Sequence, residues 1–216
     1  MVIKKGKNML QTKRTKTYNW DGAIYGARNP MNSWARYDSH IDEQGNFVLG
    51  DNDRDLALRL IRAGTDHRKF LRQIFICVDI TAPSYWWKEF DTYKVGTVAN
   101  STSTMHKITS KPFTIDDFSH DHMTPATERF MQTVIDELEK IRLRYLETKD
   151  KSDWYDIIQL MPFSYHYTRT VTMNYENALN IYRARKDHKL DEWHTFCDWI
   201  LTLPYAKEFI DATSGK

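Results

Sequence analysis

The side chains with the most chemical content fall in three places. Ala82 to Thr104 runs from an apolar segment through Tyr85, Trp86 and Trp87 into a tail rich in glycine, asparagine and hydroxyl residues. A polar loop of this kind, hung on a packed helix, can meet a ligand with main-chain and hydroxyl hydrogen bonds. The three aromatics either pack the core or stack on a flat ligand ring. Farther on, Ala178, Ile181, Tyr182 and Arg185 recur at i, i+3, i+4 and i+7, so Arg185 leaves its helix from the buried stripe. A guanidinium there requires an anion, which either a structural carboxylate or a substrate phosphate would supply. The third place, Ser119-His120-Asp121-His122, has the side-chain types of a metal site. Ligands two apart on a loop need distant partners such as His166 or His188, and nothing in the spacing fixes those nearby.

These groups must be positioned by a scaffold. Ile74, Ile76, Val78 and Ile80 alternate with Gln73, Phe75, Cys77 and Asp79, which predicts a strand leading into the 82–104 stretch. Tyr167, Arg169, Val171 and Met173 alternate with His166, Thr168, Thr170 and Thr172, a second strand. Asn174 then stands at a helix N-cap with Glu176 in the first turn, opening the helix that carries Arg185. Residues 53–63 form an amphipathic helix capped by Asp51 or Asn52 and stopped by Gly64, and a short helix precedes a break near Asn29-Pro30. Thr124 and Pro125 open the longest helix, 124–146, with Phe130, Val134, Leu138, Ile141 and Tyr145 at helical spacing. Ser152 caps a short helix to Leu160, and a last helix over 191–203 ends at Pro204. The expectation is an α/β (α+β) chain with a small, mainly antiparallel sheet and several helices, forming a single domain over residues 18–216.

Basic and acidic residues number 31 and 29, so no global field argues for a nucleic-acid or membrane partner. The exception is the start, where Lys4, Lys5, Lys7, Lys13, Arg14 and Lys16 occur without an acid; residues 1–17 are expected to be a basic flexible arm, solvated or touching phosphates. Cys77 and Cys197 are far apart in apolar segments and read as small buried hydrophobes of a reducing compartment. No stretch approaches about 18 uninterrupted apolar residues and the N-terminus lacks a signal-peptide core, so a cytoplasmic location is expected. G-x-S-x-G, Walker and G-x-G-x-x-G motifs are absent from the sequence.

Two stretches have a recognisable frame. Ala82-Pro83, four residues, then K-E-F-D-T-Y-K-V-G-T-V-A-N-S-T resembles the signature of flavin-dependent thymidylate synthases, A-P, four residues, R-Q-W-x-R-H-R-x-x-S-x-N-x-x-S. On it, Lys88 and Glu89 stand at R-Q, Phe90 at the tryptophan, Thr92-Tyr93-Lys94 at R-H-R, Thr97 at the first serine and Thr102 at the last. N-Y-E-N-A-L-N-I-Y-R-A-R, from Asn174 to Arg185, resembles the second signature, N-x-R-x-L-x-N-F-x-x-L-R. The segment ending in L-I-R-A-G64 is similar to the L-x-x-L-I-x-x-G-H element that precedes them in the family, with Thr65 in place of the histidine.

Members of that family are homotetramers of α/β fold with active sites between subunits. They bind FAD, take a hydride from NADPH, accept the one-carbon unit of methylenetetrahydrofolate and methylate dUMP to dTMP without an enzyme cysteine nucleophile. The resemblance implies that Arg185 orients the pyrimidine and that Thr102 places a hydroxyl at the uracil, both as catalytic residues. It implies Glu89, Lys94 and Asn100 as further substrate-binding positions, and Thr92, Tyr93, Lys94, Asn174 and Asn180 as the FAD side. The chain also departs from the pattern. Thr92-Tyr93-Lys94 offers one cation where R-H-R offers two guanidiniums and an imidazole, and lysine does not reproduce a bidentate fork. Glu89 replaces glutamine, Asn100 replaces glutamate, and Glu176 replaces an arginine, reversing a contact worth about 1.5–3 kcal/mol. Two functions follow: a divergent thymidylate synthase-like methyltransferase acting on a pyrimidine nucleotide, or a non-catalytic homo-oligomeric nucleotide-binding or structural relative that has lost FAD.

Overall fold

The computed structural model describes residues 10–213. The chain is mixed α/β, as expected. It opens with strand β1 (Gln11–Tyr18), helix α1 (Trp20–Gly26), the short strands β2 (His40–Ile41) and β3 (Phe47–Val48), and helix α2 (Asp51–Ala63). Strand β4 (Phe75–Pro83) runs directly into α3 (Ser84–Phe90), followed by β5 (Val98–Ser101) and the single-turn α4 (Thr104–Lys107). Then come α5 (Pro125–Thr148), α6 (Lys151–Leu160), β6 (His166–Asn174), α7 (Tyr175–Arg185), α8 (Asp191–Leu201) and α9 (Ala206–Thr213).

One sheet has the order β1-β4-β6-β5, and β2 and β3 pair as a separate antiparallel ribbon. Facing residues show that β4 and β6 run antiparallel: Thr81 bonds Thr168, Asp79 bonds Thr170, and the Ser84 amide donates to the Tyr165 carbonyl, so each step forward on one strand is a step back on the other. The alternation read in β4 is realised, with Ile74, Ile76, Val78, Ile80 and Ala82 fully buried.

Two compact units are distinguished by their internal packing, one of residues 10–12, 79–92 and 100–170, the other of 13–78, 93–99 and 171–213. In the first, α5 and α6 close over Ile108, Phe113, Phe118, Met131, Ile135, Leu138, Ile141 and Ile157. In the second, Trp20 meets Tyr175 edge-on at 4.8 Å and Tyr205 at 5.4 Å, and Phe209 packs on Tyr205. No helix among the described residues is long and apolar enough to cross a membrane.

Four local expectations need correction. Residues 11–17, expected to belong to a flexible arm, form β1; three threonines favour extended backbone, and Lys13, Arg14 and Lys16 suit the edge position that the strand occupies. The rest of the arm, residues 1–9, lies outside the described residues. The 98–101 segment, expected as loop, is β5, an edge strand exposed throughout, so it carries no apolar alternation. Leu138 and Ile141 of the expected α5 stripe are buried, but in its first half Met131 and Ile135 take the inner positions, which leaves Phe130 69% exposed. Capping also comes from unexpected residues. Asp38 accepts from the Asn52 and Asp53 amides at the start of α2, and Asp150, not Ser152, caps α6 through the Ser152 amide.

Candidate functional site

In the second unit, residues 93–97 lie along α7. Asn174 opens that helix with a capping box, its side chain accepting from the Asn177 amide at 2.9 Å while Asn177 Oδ1 accepts from the Asn174 amide at 3.3 Å. Asn177 Nδ2 donates to the Val95 carbonyl at 2.7 Å. Gly96 has φ +73°, and a Cβ there would sit 2.8 Å from Asn174 Nδ2 and 3.0 Å from Asn177 Oδ1. Glycine is therefore required twice, by backbone conformation and by space. Gly96→Ala is expected to cost about 1–2 kcal/mol in urea unfolding; a loss below about 0.5 kcal/mol would show that the segment moves off α7 freely.

At the other end of α7, Arg185 Nε donates to the Tyr93 hydroxyl at 2.8 Å. The guanidinium carbon lies 5.6 Å from the Tyr93 ring centroid and 4.7 Å from that of Trp193, so aromatic faces hold the cation on two sides. Arg185 does leave the helix from its inner stripe and is half-buried, with Ala178 and Ile181 fully buried beside it. Tyr93 and Arg185, two of the site residues inferred from sequence, are thus brought together.

Glu176 has a partner that the sequence did not indicate. Arg68 Nε lies 3.1 and 3.0 Å from its two carboxylate oxygens and Nη2 lies 2.7 Å from Oε1, with both residues buried. Acid and guanidinium form a bidentate pair, so Glu176 does not stand as an uncompensated negative charge. Asn180 is exposed, its amide at the 3.5 Å limit of a bond to Glu176. Lys94 is exposed on the 93–97 segment, and the Thr97 hydroxyl is buried without a hydrogen-bond partner among the described residues. Orphaned hydroxyls of this kind are uncommon and mark places where a ligand or water completes the site.

Thr102 belongs to the first unit. Its amide donates to the Thr168 carbonyl at 2.9 Å and its Oγ1 accepts from the Thr168 amide at 3.3 Å, which anchors the residue to β6. It lines a groove of about 460 Å³ together with Ser84, Ser101, Thr104, Tyr167 and Arg169. Arg169 is held there by Asp91, whose oxygens lie 2.5 and 3.3 Å away, and by the Tyr167 hydroxyl at 2.7 Å, and it stacks 4.4 Å over Trp87. Although burial opposes its charge, Asp91 and Tyr167 raise the Arg169 pKa. The groove thus combines hydroxyls and an aromatic wall with a guanidinium whose charge Asp91 balances, a lining suited to a flat polar ring.

The remaining inferred positions are more peripheral. Glu89 is half-buried in α3, and Asn100 is exposed on β5. Thr92 directs its amide and hydroxyl to the Glu89 carbonyl at 3.1 and 2.7 Å, where it finishes α3. Trp86 and Trp87 are core residues: both are fully buried and pack on Phe90 at 5.0 and 5.4 Å, while Tyr85 meets Phe163 edge-on. In the Ser119–His122 stretch, Ser119 Oγ bonds His166 Nε2 at 2.8 Å, and burial lowers the His166 pKa. His188 Nδ1 accepts from the Leu190 amide. No group of three or more candidate ligands is placed to hold a metal ion among the described residues. Burial pushes the Cys197 thiol up to about 12, far from a thiolate nucleophile at neutral pH.

Arg68 and Arg169 are the groups that sequence reasoning missed. Arg68 follows the G-T-D-H turn, and its partner is 108 residues away, so no local pattern marks it. Arg169 does carry a sequence signal: it is the lone guanidinium in a run of threonines and aromatics on an alternating strand.

No family model matches the sequence, and no curated protein matches it. Solved structures do. The chain is similar to thymidylate synthase X (ThyX) from Helicobacter pylori crystallised with FAD and dUMP, with a TM-score of 0.67 at 16% identity over 94% of this chain and 98% of that one. A second structure of the flavin-dependent enzyme from Helicobacter pylori, also complexed with FAD and dUMP, gives 0.68 at the same identity and coverage. The UMP/dUMP methylase PolB from Streptomyces cacaoi, bound with 5-Br dUMP, gives 0.65 at 13% identity over 95% and 96% of the two chains. At these identities the likeness establishes a shared fold, that of the flavin-dependent thymidylate synthases, over nearly the whole chain.

Proposed function

We propose that this chain is a divergent relative of the flavin-dependent thymidylate synthases that binds a pyrimidine nucleotide resembling dUMP and modifies its ring, by methylation or a related transfer. The observation that carries the reading is Arg185. At the end of the helix opened by Asn174, its guanidinium is fixed by the Tyr93 hydroxyl and by the rings of Tyr93 and Trp193, in the position where the family signature has the arginine that orients the pyrimidine. A separate observation within the first unit agrees with a nucleotide ligand: the Thr102 groove offers hydroxyls and aromatic rings in a volume suited to one nucleotide. In this reading Arg185 orients the base and Thr102 contacts it, with Glu89, Lys94 and Asn100 as further substrate positions. The protein acts as a homotetramer.

FAD fits the residues present in part. Lys94 and Asn180 are exposed and would hydrogen-bond it, and the orphaned Thr97 hydroxyl lies in the same segment as Lys94. Thr92, Tyr93 and Asn174 complete the set that the resemblance assigns to the flavin side. When bound, FAD supplies the redox chemistry, with NADPH as reductant and methylenetetrahydrofolate as one-carbon donor. One observation favours the second reading, a nucleotide-binding relative without FAD. Thr92 and Asn174 spend their side chains on the ends of α3 and α7, which leaves Lys94 as the one cation of the Thr92-Tyr93-Lys94 triplet, against the two charges that a pyrophosphate would bring.

Purified protein incubated with FAD and desalted is expected to keep the visible flavin band, and saturating dUMP to raise the unfolding midpoint; at 100 times Kd the stabilisation is about 2.7 kcal/mol. Folded protein that retains no flavin yet is stabilised by dUMP would establish the second reading. Stabilisation by neither ligand would remove both.

A further inference from the structure

A second groove, of about 530 Å³, lies in the first unit where α4 approaches the turn between α5 and α6. Met105, His106, Tyr145, Lys149, Lys151 and Trp154 line it, so it adjoins the Thr102 groove only through Met105. We propose that it binds an organic phosphate carrying a flat ring, of the size of one mononucleotide, at a site separate from the pyrimidine site proposed above.

The chemistry of the lining selects this ligand. Lys149 opens the two-residue turn between α5 and α6 and Lys151 begins α6, and their ammonium groups lie 5.5 Å from the Tyr145 ring and 5.4 Å from the Tyr155 ring. The acid between them, Asp150, is engaged elsewhere, accepting from the Ser152 amide at 2.9 Å and its hydroxyl at 2.8 Å. Two ammonium groups beside an imidazole attract a dianion, and the Tyr145 and Trp154 rings offer a surface on which another ring can stack. Trp154 is braced for this by its Nε1, which donates to the Met105 carbonyl at 3.2 Å.

An independent observation concerns the backbone. Lys149 ends α5 in the left-handed conformation, φ 58° and ψ 21°, where glycine is the favoured residue. A cation at a helix C-terminus suits the dipole, but a lysine one turn earlier would do so without this strain. The residue kept in the unfavourable conformation is the one whose ammonium group overhangs the groove, as expected where a local cost serves a site.

The test is calorimetric titration of the full-length protein with AMP, ribose 5-phosphate and adenosine, repeated on Lys149→Gly and Lys151→Ala. AMP is expected to bind at low-millimolar concentration or tighter, and the two fragments, each lacking the phosphate or the ring, at least about tenfold more weakly. Each lysine substitution is expected to weaken AMP about tenfold, one lost charge-assisted contact. Lys149→Gly is also expected to raise the unfolding midpoint by about 2–4 °C, since it relieves the backbone. A weaker site on a more stable protein is an outcome that a purely structural Lys149 would not give. Absence of AMP binding, or binding that both substitutions leave unchanged within a factor of two, overturns the proposal.

Discussion

Asp53→Ala is expected to lower the free energy of unfolding by about 3–5 kcal/mol, the largest loss predicted for a single substitution in this chain. Asp53 is wholly buried and Arg28 is 3% exposed. Arg28 Nε donates to Asp53 Oδ1 at 2.6 Å, and Nη2 lies 2.6 Å from the same oxygen, too bent to count as a hydrogen bond. The other carboxylate oxygen accepts from the Ser39 amide at 2.9 Å, the Ser39 hydroxyl at 2.6 Å and the Asp38 amide at 3.1 Å. Removing the carboxylate strands a guanidinium and three donors together, and the desolvation already spent on Arg28 is no longer offset. A paired replacement, Arg28→Met with Asp53→Leu, is expected to recover much of the loss because no charge then remains buried. Urea unfolding of the three variants measures this; a loss under about 1.5 kcal/mol for Asp53→Ala would mean that water reaches the pair.

Arg185→Ala is expected to have the opposite profile. Arg185 and Tyr93 are only half-buried and their bond is partly open to water, although Trp193 beside them is fully buried, so stability should fall by about 1 kcal/mol or less. Loss of a guanidinium that bonds a nucleotide costs about 1.5–3 kcal/mol, which is roughly a 10- to 100-fold loss of dUMP affinity or turnover. Arg185→Lys should restore little, since an ammonium group neither forks nor stacks as a guanidinium does. Thermal unfolding and dUMP titration of the same preparations decide the matter. Equal losses of stability and affinity would assign Arg185 to the scaffold and remove the observation on which the proposed function rests.

The elements legible in the sequence were those built from one-dimensional patterns. Isoleucine alternation marks β4, the Thr124-Pro125 start marks α5, and Asn174 is legible as the cap whose capping box opens α7. What escaped was carried by partners distant in the chain. The Asp38 cap on α2, the Arg68–Glu176 pair and the Asp91 contact to Arg169 all join residues whose proximity no local periodicity encodes. Edge strands escaped for a different reason: β1 and β5 bury no continuous face, so their residues were free to be basic in one and polar in the other. Of the inferred site, the sequence located Arg185 on the inner side of its helix, but only the fold showed that Tyr93 holds it. It also showed that Thr92 and Asn174 are largely engaged in ending and starting helices.

Helices α5 and α6 are joined through Lys149 and Asp150 alone and share one apolar cluster, so nearly everything that stabilises this hairpin lies within about fifty consecutive residues. The antiparallel pairing of β4 with β6 is different, since it joins residues some ninety positions apart. Short loops close in well under a microsecond, whereas distant strands must first meet an entropic cost that grows with the separation. During synthesis the hairpin can therefore bury its face while β6 is still inside the ribosome. Until β6 emerges, β4 has only β1 beside it and its other edge stays unpaired, and that interval is when the chain is most exposed to aggregation.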